Sequence, residues 1–187
     1  IQIGSESGGK TQEAIARMKS YDFFIDQFLP FIKFEDLVLA ESWDSSLNQV
    51  TYNENSKNPN YIKPSNQEAF LKYSSIFNIV NNRDSAFVNL SLEHVSPNIA
   101  KSWLELIIAN INSHMRELDK NLAENSIDYL KLQAQETSLS GVKGVIFQLI
   151  EDQIQVLTLA EVNDDYAFKQ IVSPIAPEKK SSPARSM

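Results

Sequence analysis

Residues 98–140 contain neither glycine nor proline, and this constrains the fold more than any other feature of the chain. Glycine and proline are the strongest punctuators of local structure, so their absence lets one helix run unbroken. Its start is marked by Ser96-Pro97, a capping hydroxyl followed by the residue favoured in the first helical turn. A helix over 97–138 would be roughly 63 Å long at about 1.5 Å per residue. Its apolar residues Leu104, Ile108, Ile111, Met115, Leu118 and Leu122 are spaced 4, 3, 4, 3, 4, and the register continues through Asn125 to Tyr129 and Leu132. A repeat of about 3.5 residues predicts a seam made for another helix, and Asn125 is the one polar break that can fix its register.

Ser140-Gly141-Val142-Lys143-Gly144 interrupts the pattern. A second helix is expected from there to about Asn163, carrying Val145, Ile146, Leu149, Ile150, Ile154 and Leu157. At roughly 28 Å it covers only about half of the first helix. The expected arrangement is therefore a long helical hairpin, residues 97–163, projecting from a base that takes the other half of the long helix.

The base is read from residues 1–96 and 164–175. Residues 1–9 form a Gly/Ser-rich, loose start. A helix over 10–19 sets Ala14, Ile15 and Met18 on one side. Ser20 caps a second helix with Phe24, Ile25, Phe28 and Leu29, which Pro30 stops. A third short helix, 34–40, is closed by Trp43-Asp44. Residues 48–64 read as a loop with a brief strand at 49–52. Ser65 and Glu68 form a capping box, opening a helix that buries Phe70 and Tyr73. Strands at 76–80 and 86–94 flank an Asn-Asn-Arg-Asp-Ser turn, with Val88, Leu90 and Leu92 alternating against Asn89, Ser91 and Glu93. A last strand, 166–172, returns to the sheet before a proline-spaced tail, 174–187. The fold class expected is α+β in a single domain, 1–187: a small mixed sheet flanked by helices, with the projecting hairpin.

Net charge is −7, which provides no basic stripe to displace counterions from nucleic acid. Cysteine is absent, excluding a disulfide framework and thiolate chemistry. No run approaches the roughly 18 apolar residues of a membrane span; the best, 103–111, is broken by Glu105 and Asn110. The chain begins with Ile1 and carries no signal peptide, so it reads as a soluble piece of a longer protein.

Gly4-Ser5-Glu6-Ser7-Gly8-Gly9-Lys10-Thr11 matches the phosphate-loop pattern letter for letter. Such a loop works after a buried strand of a parallel sheet, with a second strand supplying an Asp for the metal. Only residues 1–3 precede it, and the strand ending in Glu93 alternates, so a flexible loop before a helix is the preferred reading. His94 and His114 lie 20 residues apart and neither has a carboxylate four residues away, which falls short of a metal site. The acidic pairs Glu151-Asp152 and Asp164-Asp165 are sequence neighbours and do not converge on a helix face. No nucleophile signature occurs. The chain is expected to have no catalytic residues, no cofactor and no metal. The charged residues Arg116, Glu117, Lys120, Glu124, Asp128 and Lys131 of the long helix are mixed in sign. They suit either a solvated face or pairs between copies in an oligomer.

Several stretches resemble a known family. These are Lys10-Thr11-Gln12 with Lys19-Ser20-Tyr21-Asp22-Phe23, Leu90-Ser91-Leu92-Glu93-His94-Val95-Ser96-Pro97 and Ser126-Ile127-Asp128-Tyr129-Leu130. Further along are Leu149-Ile150-Glu151, Leu159-Ala160-Glu161-Val162, Tyr166-Ala167-Phe168-Lys169 and the proline-spaced tail with Pro174, Pro177 and Pro183. Together they resemble the periplasmic domain of Wzz-type chain-length determinants, the polysaccharide co-polymerases of bacterial surface-glycan assembly. The resemblance implies a transmembrane helix beyond each end, a first base strand before Ile1, and a domain standing in the periplasm on the inner membrane. It implies a ring-like homo-oligomer that sets the modal length of a lipid-linked glycan, of the lipopolysaccharide O-antigen type, together with a membrane polymerase. It carries no catalytic residue into this domain. An external domain of a capsule or exopolysaccharide co-polymerase with a cytoplasmic tyrosine kinase is the alternative within the resemblance. Lys179, Lys180 and Arg185 depart from the positive-inside tendency, and are candidates for contact with lipid phosphates or anionic saccharides.

Overall fold

The computed structural model describes residues 2–4, 8–53, 62–81 and 87–177. The chain divides into two compact units, Ile1–Ile111 with Phe168–Met187, and Asn112–Ala167.

The first unit is built on a four-stranded sheet in the order β4-β5-β1-β6. Its strands are β1 (Gln2–Gly4), β4 (Phe77–Asn81), β5 (Phe87–Leu92) and β6 (Lys169–Val172). Every pairing is antiparallel, with Phe77 opposite Leu92, Ile79 opposite Leu90, and β1 between β5 and β6. Phe77, Ile79, Val88 and Leu90 are buried while Asn78, Val80, Asn89 and Ser91 are exposed, the one-wet-face alternation of an antiparallel sheet. The sheet is thus antiparallel where a mixed one was expected. The start of the chain is corrected as well: Gln2–Gly4 lies inside the sheet, and α1 (Gly8–Met18) begins at Gly8. Three residues are too few to display an alternating period. Of the turn expected at 81–85, Asn81 is the last residue of β4 and residues 82–85 lie outside the described residues.

Helices cover the apolar face. Ala14 and Met18 of α1 are buried. Ser20 caps α2 (Tyr21–Phe23), its hydroxyl accepting from the Phe23 amide at 3.2 Å. Pro30 does not stop the segment as expected. The helix widens into a π-turn, Phe24–Phe28, then tightens into a 3₁₀ turn, Leu29–Phe31. Proline lacks an amide hydrogen, and the early positions of a new turn do not require one. The Gln27 carbonyl accepts from Asn110 Nδ2. Phe24, Phe28, Tyr73, Phe77 and Trp103 form the aromatic centre, with Phe28–Tyr73 ring centroids 4.9 Å apart and Phe28–Trp103 5.5 Å apart and edge-on. Tyr73 donates its hydroxyl hydrogen to the Met18 carbonyl at 2.9 Å, and burial pushes its pKa up. The capping box of α4 (Asn66–Ile76) is present in both directions; Ala69 and Tyr73 are its buried residues, with Phe70 half-buried.

The expected helix over 34–40 is shorter: α3 spans Phe34–Val38, and Ala40–Asp44 is strand β2, paired antiparallel with β3 (Gln49–Tyr52). The hairpin turn explains this. Asp44 Oδ1 accepts from the Ser46 amide (2.8 Å), the Ser46 hydroxyl (2.6 Å) and the Leu47 amide (3.3 Å). Asn48 closes the turn at φ 50°, in the left-handed region that asparagine tolerates. Tyr52 ties β3 to α3: it accepts from Lys33 Nζ at 2.7 Å and donates to Asp36 Oδ1 at 2.6 Å.

The long helix α5 spans Pro97–Glu136, 40 residues, about 60 Å. In the first unit it buries Trp103, Leu104, Ile107, Ile108 and Ile111. The second unit holds the rest of α5 and α6 (Ser140–Val162), joined by three residues, 137–139. Its buried residues include Asn112, Met115, Ala123, Ile127, Ala134, Ile146, Ala160 and Ala167. Contacts among the described residues join the chain after α6 to the second unit's part of α5. Tyr166 donates to Asp119 Oδ2 at 2.7 Å, the Ala167 amide donates to Asn112 Oδ1 at 2.9 Å, and Arg116 Nη1 stands 3.4 Å from Asp164 Oδ1. The fold is α+β, with two small antiparallel sheets and two long helices.

Candidate interaction surface

The apolar stripe read along α5 has two fates. Leu104, Ile108, Ile111 and Met115 are buried. Leu118 is half-buried and Asn125 exposed, and then Leu122, Tyr129 and Leu132 are 65%, 63% and 58% exposed. The buried positions of this second half are Ala123, Ile127 and Ala134, with Leu130 half-buried. The single continuous seam expected from the spacing is therefore corrected. A straight helix has 3.6 residues per turn, so a stripe repeating every 3.5 drifts by about 20° per heptad. That drift does not account for the change: Leu122 stands 18 residues, five full turns, from buried Leu104, and Tyr129 the same from buried Ile111, so the stripe keeps its side there while burial passes to the side of Ala123, Ile127 and Ala134.

Helix α6 is apolar on more than one side. Ile146 and Ala160 are buried, and Ile150, Val156 and Leu157 half-buried. Val142, Val145, Leu149 and Leu159 are exposed, Val145 at 62%. Their spacing of 3, 4 and 10 follows one side of a helix, and half-buried Val156 falls on the same line. Phe147 and Ile154, seven residues apart and also exposed, define another line. Scattered apolar side chains are ordinary on a protein surface; aligned ones at helical spacing make a candidate interaction surface. Of these, Val142, Phe147 and Leu159 were not among the residues read as apolar positions of this helix. The signal for them was available: apolar residues recur on α6 too often to occupy one face.

The charged residues of α5 are brought into one neighbourhood of the helix but not into one network. Arg116 is taken by Asp164 of the same chain. Lys131 Nζ lies 4.0 Å from Asp128 Oδ1, one helical turn away. Glu117 and Glu124 are exposed and Lys120 half-buried. Exposed pairs of this kind contribute between nothing and about 1 kcal/mol to stability. Lys179, Lys180 and Arg185 lie outside the described residues.

The phosphate-loop match falls partly outside the described residues, at 5–7. Lys10 and Thr11 lie in α1, with Thr11 buried, and the preceding strand β1 has antiparallel neighbours on both sides. That differs from the parallel setting the motif works in. His94 is engaged structurally. Its Nε2 is 2.9 Å from the Asp36 carbonyl and its Nδ1 is 3.0 Å from the Ser96 amide, an arrangement in which Nε2 carries the hydrogen. The ring also packs on Trp103, with centroids 4.9 Å apart. His114 is half-buried on α5. Among the described residues there is no group of three or more His, Cys, Asp or Glu side chains placed to hold a metal ion. No described helix is long and apolar enough to cross a membrane.

No protein-family model matches this chain, and no curated protein matches it.

Proposed function

We propose that this chain is the periplasmic domain of a membrane-anchored, non-enzymatic scaffold that regulates the chain length of a lipid-linked surface polysaccharide. In this reading α5 and α6 form the helical hairpin expected from their lengths. The three-residue connection and the contacts of Asn112, Arg116 and Asp119 with residues 164–167 support an antiparallel course. The observation that carries the proposal is the pair of exposed apolar stripes, Leu122/Tyr129/Leu132 on α5 and Val142/Val145/Leu149/Leu159 on α6. They lie on different helices and differ in composition. A contact between two unlike faces is heterologous, and heterologous contacts close into rings when the rotation between copies allows.

The assembly would stand on the bacterial inner membrane through flanking transmembrane helices. It would present its surface to the membrane polymerase and the growing glycan. The family resemblance supplies the glycan and the polymerase; the stripes supply a physical reason for self-association. The mass of the full-length protein in detergent tests the assembly. A discrete multimer is expected, and a monomer at every concentration would overturn it.

A further inference from the structure

We draw no further inference here: the strongest candidate, the edge strand Lys169–Val172 of the four-stranded sheet, whose residues are all exposed, carries none because nothing in the structure shows what covers it.

Discussion

Tyr166 donates its hydroxyl hydrogen to Asp119 Oδ2 at 2.7 Å, closing a loop of 47 residues. Beside it the Ala167 amide donates to Asn112 Oδ1, and both Asn112 and Ala167 are buried. The return of the chain after α6 is thus held by polar contacts at Asp119 and Asn112, followed directly by the fully buried Phe168. A buried amide stripped of its acceptor costs about 1–3 kcal/mol, whereas losing a half-exposed hydroxyl bond costs about 1 kcal/mol. Asn112→Ala is therefore expected to lower unfolding free energy by about 1–3 kcal/mol, and Tyr166→Phe by about 1 kcal/mol or less. Urea titration of the three proteins checks the order; equal effects would show that burial of the Ala167 amide does not matter.

Two lines of residues on α5 are separated by one position and predict opposite phenotypes. Ile127 is buried and Leu122 is not. Ile127→Ala is expected to cost about 2–5 kcal/mol, as core truncations do. Leu122→Ser and Leu132→Ser are expected to stay within about 0.5 kcal/mol of the parent while weakening self-association. Thermal unfolding together with sedimentation velocity separates the two classes.

His94 joins β5, α3 and the start of α5 through the Asp36 carbonyl, the Ser96 amide and the Trp103 ring. His94→Ala removes a partner from the Asp36 carbonyl and from the amide of buried Ser96. A loss of about 1–3 kcal/mol is expected, read as a lower urea midpoint at neutral pH.

Acid should weaken the start of α4. The Ser65 amide and hydroxyl hold the Glu68 carboxyl below its usual pKa, and the Ser46 hydroxyl and turn amides do the same for Asp44. A depressed folded-state pKa contributes stability that is present above the unfolded pKa and is lost as pH falls through the folded one. Unfolding midpoints should therefore decline from the pH of ordinary carboxylates downward. Glu68→Gln should show a shallower decline over that window than the parent; parallel curves would remove Glu68 from this account.

What the sequence made legible follows from physical scale. The long helix is readable because residues 98–140, free of glycine and proline, leave it no competitor, and the α4 cap because Ser65 and Glu68 act on each other locally. Strand β2 is not readable: Ala40-Glu41-Ser42-Trp43-Asp44 has no alternation, and only pairing with Gln49–Tyr52 makes it a strand. Strand β1 is too short to carry a period. The exposed surface is legible in part. The spacing finds Leu122, Tyr129 and Leu132, but whether a stripe is buried depends on what packs against it: Leu104 and Ile111 are buried while Leu122 and Tyr129, five turns further along the same side, are exposed. The second stripe, on α6, is hidden by that helix being apolar on several sides.

The central claim is tested most directly by the length distribution of the surface glycan, resolved as a gel ladder. Deleting the parent gene is expected to abolish the modal band cluster. Restoring the wild-type gene should recover it, and a variant carrying Leu122→Ser, Tyr129→Ser and Leu132→Ser, expressed at the same level, should not. A ladder unchanged by the deletion would contradict the account.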